Sequence, residues 1–257
     1  MVRVLVTGGT GMLGRRLVPL LVERGHAVRL LARRAASDRD EVEALRGDVR
    51  TGEGLDPAVR GVDAVVHAAT SPRRHARKTE VLGTRNVLNA ISHSGSPVHL
   101  IYVSIVGVDR NRFPYYKAKR EAERVVESSG MGWSIQRATQ FHDLLDQFLS
   151  GRVFVRTPNL SFQVVDAGEV AGRLADLVEA GPNARAPDFG GPQVLNIREL
   201  ASARREATGR AARLIPVPPL GPLRDFDAGH HLCPDHRSGR TTWRQWLATT
   251  GGDAMKT

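Results

Sequence analysis

RVLVTGGTGMLG, Arg3 to Gly14, is the stretch that decides the fold. Val4, Leu5 and Val6 form a short apolar run that stops at glycines, the pattern of a buried parallel strand entering a tight turn. Beyond the turn, Leu13, Leu17, Leu20 and Leu21 recur at helical spacing, so the segment reads as the opening half of a βαβ unit. Gly9, Gly11 and Gly14 satisfy G-x-G-x-x-G, and Gly8 with the latter two satisfies the wider T-G-x-x-G-x-x-G. The early glycines let the backbone turn and approach a pyrophosphate closely. Gly14 lets the helix pack on the strand, and the N–H groups that open the helix face the phosphates. Thr7, Gly8, Gly9, Thr10, Gly11, Met12, Leu13 and Gly14 are therefore the expected dinucleotide cradle. Their place directly after a strand separates them from an ordinary glycine-rich turn.

The chain of 257 residues has room for one α/β domain with a lobe. The expected division is a dinucleotide-binding domain over residues 1–138 and a small substrate-binding lobe over 139–257, packed on it and not independent. The formal charge of +10 is carried mostly by arginine. The basic residues are spread along the chain without a DNA-reading motif, and the few aromatics are not interleaved with them, so direct nucleic-acid binding is not expected. No apolar run reaches the roughly 20 residues that span a bilayer, and the chain runs straight into a strand, so the expected location is the cytoplasm, off the membrane. The single cysteine, Cys233, allows neither an intrachain disulfide nor a cysteine-rich metal site.

The second strand, AVRLLA, runs from Ala27 to Ala32 and ends at Arg33 and Arg34. An acidic residue here accepts a ribose 2′-hydroxyl, whereas a guanidinium binds a 2′-phosphate through charge-assisted hydrogen bonds. NADP(H) is the expected cofactor; Asp38 and Asp40 keep NAD(H) as the less favoured alternative. After a third strand, Asp48 is placed to accept from the adenine amine and Val49 to lie against its ring, with an ordinary turn at Gly47 and Asp48 as the competing reading. DAVVHAAT, Asp63 to Thr70, is another buried strand; Ala68 and Ala69 let the chain pass close to the cofactor, and His67 reads as a packed strand residue. SPRRHARK, Ser71 to Lys78, reads first as a solvated charge run and second as a contact for an anionic substrate. The strand VHLIYVS ends at Ser104, and a helix runs from Pro114 towards Gly130. On it Tyr115 and Lys119 are four apart and share a face. An ammonium beside a phenol favours the phenolate, which can then exchange a proton with a carbonyl or alcohol as hydride moves; the lysine can also hold the nicotinamide ribose.

TGGTGMLG, Arg33 and Arg34, Gly47-Asp48, VVHAA, GTRNVLNA, YVSIVG and PYYKAKREAE, in that order, resemble the atypical short-chain dehydrogenase/reductases, specifically their NmrA-like and NAD(P)H-binding branch. The likeness is close over about the first 140 residues and looser through FQVVDAGEVA and Gly190 to Pro192. It implies a Rossmann fold: an α/β doubly wound parallel sheet with helices on both faces and a small C-terminal substrate lobe. It also implies that Tyr115 and Lys119 stand where the superfamily's catalytic tyrosine and lysine stand, with Ser104 near its serine. Relatives often pair through the helices after the fourth and fifth strands, so a homodimer is one expected state. Where many relatives have Asn-Val-x-Gly-Thr, this chain has Glu80-Val81-Leu82-Gly83-Thr84, so the asparagine that often completes a proton relay is missing.

In the back half, Gly132 to Ala138 reads as a sixth strand, and Thr139, Gln140, Phe141 and His142 beyond it are candidates for the substrate pocket wall. Asp166 and Glu169 resemble a capping box, and a helix is expected over Ile197 to Thr208. His230, His231, Cys233 and His236 do not match an established zinc spacing, so no metal is expected. Trp243, Trp246 and Leu247 have the spacing of a last helix pinned to the lobe. The leading expectation is an NADP(H)-dependent oxidoreductase that exchanges hydride with a small carbonyl, quinone or enone. Tyr115 would donate the proton, Lys119 would tune it, and Ser104 would hydrogen-bond the substrate. The alternative is a non-catalytic NADP(H)-sensing regulator that acts through a protein partner.

Overall fold

Continuous burial of Val4, Leu5, Val6 and Thr7 in the first strand requires that it be covered on both faces. The computed structural model describes residues 1–34, 41–72, 75–151 and 153–251. Asp38, Asp40, Arg73 and Arg74, part of the readings above, lie outside those residues. The chain starts with β1 (Arg3–Thr7), α1 (Gly14–Glu23), β2 (Ala27–Ala32), β3 (Val42–Arg46), α2 (Leu55–Val59) and β4 (Ala64–His67). A π-helical turn, Lys78–Leu82, leads into α3 (Gly83–Ser94), then β5 (His99–Ile105), α4 (Pro114–Glu127) and β6 (Trp133–Ala138). Next come α5 (His142–Leu149), β7 (Phe154–Arg156), β8 (Ser161–Phe162), α6 (Ala167–Ala180) and β9 (Ala184–Arg185). The last elements are β10 (Leu195–Asn196), α7 (Ile197–Thr208), β11 (Leu214–Pro216), α8 (Leu223–Asp227) and α9 (Trp243–Gly251).

Seven strands form one sheet in the order β3-β2-β1-β4-β5-β6-β9. β1 is parallel to β2, with Val4 opposite Val28, and parallel to β4, with Val4 opposite Ala64. This is the doubly wound Rossmann order, and its direction reverses between β1 and β4, so ligands are expected beyond Thr7 and His67, the carboxyl ends of those two strands. Val87, Leu88 and Ile91 of α3 and Ala122 and Val126 of α4 share a core with Leu100, Tyr102 and Ile135 of the sheet. Burial of each larger apolar side chain contributes about 1.5–3 kcal/mol.

The chain divides into two compact units: residues 1–104, 114–137 and 170–187 in one, and 105–113, 138–169 and the chain from 188 onward in the other. A single cut after Ala138 therefore does not describe the division. Residues 170–187 join the first unit because β9 pairs with Ser134 and Ile135 of β6, and because Asp176 and Glu179 accept from Arg24. β9 is two residues long and has no periodicity that a sequence reading detects.

The second unit holds two small sheets, β10 antiparallel to β8 and β11 parallel to β7. The helix over Ile197 to Thr208 is present with the expected limits, closed by a capping box between Asn196 and Glu199. The expected box at Asp166 and Glu169 is only half formed. Asp166 accepts from the N–H groups of Gly168 and Glu169, but Glu169 instead accepts from Arg240 and Thr241. Trp243 and Trp246 stack and are buried, and the Trp243 indole donates to the Leu200 carbonyl at 2.9 Å, which pins α9 as its spacing required. His231 bonds the Ser161 carbonyl, and the Cys233 amide donates to Gln163, so both have packing roles. Burial pushes the Cys233 thiol up to about 12, far from a reactive thiolate. Among the described residues no helix is long and apolar enough to cross a membrane.

Candidate active site

The turn after β1 accepts glycine and little else. Gly8 has φ +75°, and a Cβ there would lie 2.6 Å from the Ala69 nitrogen and 2.7 Å from the Ala68 carbonyl. A Cβ on Gly9 would meet Leu30 of β2 at 2.2 Å, and one on Gly14 would meet Gly9 Cα at 2.3 Å. The Gly8 carbonyl accepts from Gly11 N–H at 3.0 Å, which folds the turn back over the strand end. Leu13 is buried at the start of α1, and no side chain caps that start. The Arg15 and Arg16 N–H groups donate to the Gly11 and Leu13 carbonyls, so the positive dipole end of the helix is what an anion meets there, and the small residues leave room for one to approach; the cradle fits a dinucleotide pyrophosphate. Ala68 and Ala69, expected to allow a close approach, form the floor beneath Gly8.

At the ends of β2 and β3 the arginines dominate. Arg33 and Arg34 are exposed, while Asp48 is engaged by a residue the sequence reading did not single out. Arg50 donates through Nη2 to Asp48 Oδ2 at 2.6 Å and through Nε to Oδ1 at 3.1 Å. These bonds outweigh the desolvation of the carboxyl and, with the nearby charge of Arg33, hold it below the usual carboxylate range. Asp48 is thus bound by Arg50. Val49 is buried and packs towards Gly83, where an added Cβ would lie 3.1 Å from Val49 Cγ2. In this arrangement Asp48 closes the turn that was the competing reading, its carboxylate also accepting from the Arg50 N–H at 2.9 Å.

Behind the cradle lies a buried polar network. Lys119 Nζ sits 2.8 Å from Glu80 Oε2 and donates to the Val103 carbonyl at 2.7 Å. Glu80 Oε1 accepts from Thr70 Oγ1 at 2.7 Å and from Ser71 N–H at 3.2 Å, and Glu80 Oε2 accepts from the Tyr102 hydroxyl at 3.2 Å. Thr70 Oγ1 is 2.9 Å from the hydroxyl of Tyr115, which is half-buried. The π-helical turn that carries Glu80 is a form found mostly as isolated bulges, often at functional sites. Burial works against both charges of the Glu80–Lys119 pair, yet each is held ionised by the other: the carboxyl is lowered and the ammonium raised. Tyr115 is raised, by desolvation first and by the Glu80 carboxylate second. The expected lowering of the Tyr115 phenol by Lys119 is therefore reversed, because burial penalises the phenolate and the Glu80 carboxylate repels it. His67 is fully buried, hydrogen-bonded to Thr7 Oγ1 at 2.7 Å and pushed down to about 4 by burial, so it is a neutral strand residue as read.

Residues 8–179 match the NAD(P)H-binding family. The chain belongs to that family. It is 29% identical over 224 residues to (4-alkanoyl-5-oxo-2,5-dihydrofuran-3-yl)methyl phosphate reductase of Streptomyces griseus, covering 82% of this chain and 75% of the relative. It is 25% identical over 236 residues to photosystem II assembly factor Ycf39 of Synechocystis, covering 84% and 71%. Two solved structures share the fold. One is an NADPH-dependent quinone oxidoreductase of Escherichia coli complexed with NADPH, at TM-score 0.76 and 17% identity, with 98% and 99% of the two chains covered. The other is UDP-glucose 4-epimerase of Thermus thermophilus in complex with NAD, at TM-score 0.74 and 22% identity, with 97% and 98% covered. These likenesses show the fold, a Rossmann α/β sheet over nearly the whole chain.

Within this NAD(P)H-binding protein the structure brings together the glycine cradle, Ala68 and Ala69, and, one residue further along, Thr70 with Tyr115. Lys119 is 3% exposed and directs its ammonium to Val103 and Glu80, so it stands behind the phenol as a fixed charge. Ser104 is buried near the end of β5 with no hydrogen-bond partner for its Oγ. Gln140, Phe141 and His142 belong to the second unit. There Gln140 accepts from Val165 N–H, Phe141 bridges Val165, and His142 is fully buried, stacked on Trp246 and pushed down to about 4 by burial. His142 is core, not an acid or base on a pocket wall. Of the basic loop, Arg77 pairs with Glu121 in solvent, the bland reading of that charge run. Thr70, Tyr102 and Arg50 were not singled out from sequence. Glu80, standing where relatives have asparagine, was the signal that pointed towards Thr70 and Tyr102.

Proposed function

We propose that this chain is a cytoplasmic NADP(H)-dependent reductase that delivers hydride to a small carbonyl, quinone or enone, with Tyr115 as the proton donor. One observation supports this above the rest: the Tyr115 hydroxyl meets Thr70 at 2.9 Å, and Thr70 directly follows the Ala68-Ala69 floor of the glycine cradle. When bound, NADP(H) supplies the hydride. Tyr115, kept as a neutral phenol, gives its proton to the substrate oxygen as the electron pair of the C=O bond arrives there. Ser104 is a second donor to the same oxygen, and Lys119, neutralised by Glu80, stands behind the phenol. A structure with bound NADP⁺ tests this: the Tyr115 hydroxyl is expected beside the nicotinamide, and a nicotinamide remote from Tyr115 overturns the reading.

Arg33 and Arg34 are proposed to bind the 2′-phosphate, with Arg50 close by. Charge-assisted hydrogen bonds contribute about 1.5–3 kcal/mol each. The double substitution Arg33→Ala/Arg34→Ala is therefore expected to weaken NADPH binding by roughly 10²–10⁴-fold while NADH binding is held. An unchanged NADPH/NADH affinity ratio removes the assignment.

A second reading, an NmrA-like NADP(H) sensor working through a protein partner, draws on one observation: Glu80 neutralises the Lys119 charge that a tyrosine-lysine pair uses. A relative named as an assembly factor fits it too. A sensor binds NADP(H) without turnover, and its recovery of a partner in pull-down changes with cofactor.

A further inference from the structure

The buried carboxylate of Glu80 is the group that neither the cofactor cradle nor the tyrosine-lysine pair explains. It is 0% exposed, which is costly for a charge unless it is paired and hydrogen-bonded. Four groups approach it from three segments: Thr70 and Ser71 after β4, Tyr102 of β5 and Lys119 of α4. A threonine hydroxyl has a single proton. Glu80, ionised beside Lys119, accepts that proton, so the oxygen of Thr70 is left as an acceptor, and in the pair with Tyr115 the phenol must donate.

We propose that Glu80 is a positioning residue that sets the proton state of Tyr115: through Thr70 it fixes the phenol as a donor, and through Lys119 it removes the free cation that would otherwise draw out a phenolate. The site is thereby built to give a proton in reduction and poorly built to take one from an alcohol. This rests on the reductase reading for its consequence, but the proton state itself is a property of the cofactor-free protein. Among the described residues, the charged and titratable groups that face Glu80 and Tyr115 are Lys119, Tyr102 and His67. Lys119 is the cation, Tyr102 is raised by burial and stays neutral, and His67, lowered by burial to about 4, is neutral above that pH. Desolvation and Glu80 act on Tyr115 in the same direction.

The test is a spectroscopic pH titration of tyrosinate in the cofactor-free protein, with Tyr115→Phe as the blank that isolates Tyr115 from Tyr102 and Tyr116. In the wild type the Tyr115 signal is expected to rise only above the ordinary phenol value of 10.0. In Glu80→Gln, which keeps the side-chain shape and leaves Lys119 unneutralised, the tyrosinate-to-tyrosine ratio at fixed pH is expected to rise at least about tenfold. Glu80→Asp, which keeps the charge, should return it towards wild type. An unchanged titration in folded Glu80→Gln overturns the proposal. Where Glu80→Gln does not fold, the wild type decides, since a Tyr115 that ionises below 10.0 overturns it equally. If the titration behaves as expected and no substrate is reduced, the proton-state assignment stands and the reductase reading falls.

Discussion

Tyr115→Phe is expected to cut NADPH turnover by about 10²–10⁴-fold, the usual contribution of a positioned general acid, with NADPH affinity within about twofold of wild type. The cradle is built from Gly8 to Gly14 and from the Ala68-Ala69 backbone, none of which touches the phenol oxygen, whereas that oxygen is held at 2.9 Å by Thr70 just beyond the floor. Removing it takes away a proton donor and leaves the phosphate site intact. Steady-state rates with a reducible substrate and a fluorescence titration of NADPH separate the two quantities. A variant that loses affinity and keeps its rate constant would assign Tyr115 to binding instead.

Lys119→Met is expected to destabilise the fold by about 3–5 kcal/mol, because it strands the Glu80 carboxylate in the core without its counter-charge. That is a large part of the stability of an ordinary domain. Urea unfolding measures it, and Lys119→Met/Glu80→Gln should recover much of the loss, since the cost lies in the unpaired charge. The pH dependence carries the same signature. The Glu80 carboxyl is lowered in the fold, so its share of stability is present above its ordinary value of 4.5 and is lost as pH falls through the lower folded value. The Lys119 ammonium is raised, so its share is present below 10.5 and is lost as pH rises through the higher folded value. Between those limits the pair should leave stability flat. A single variant as stable as wild type would show that the pair is dispensable.

What the sequence made legible follows from how local each signal is. The cradle was readable because Gly8, Gly9 and Gly14 each exclude a Cβ for a reason tied to the same turn, so the residue types and their spacing carry the geometry. Tyr115 and Lys119 were readable as partners because four residues on a helix place side chains on one face. What they do to each other was not. The outcome turns on Glu80, which reaches them from another element through a π-helical turn that has no pattern of its own. Asp48 accepts from the N–H and the guanidinium of Arg50 two residues on, the local turn that was the competing reading at Gly47 and Asp48. His142 opens a helix as read, yet its partners Trp243 and Trp246 come from the far end of the chain, and they make it core.

The central claim is that the glycine cradle delivers a nicotinamide to Tyr115 for reduction. The most direct measurement is transfer of label from NADPH carrying deuterium on its reactive carbon to a carbonyl or enone acceptor, where it ends on carbon, read by mass spectrometry of the product. Quinone reduction is followed by NADPH consumption, because a hydroquinone O–D exchanges with water. The account predicts deuterium in the product with wild type and its near-absence with Tyr115→Phe. Tight NADPH binding with no label in any acceptor, and a cofactor-dependent change in partner recovery, would contradict it.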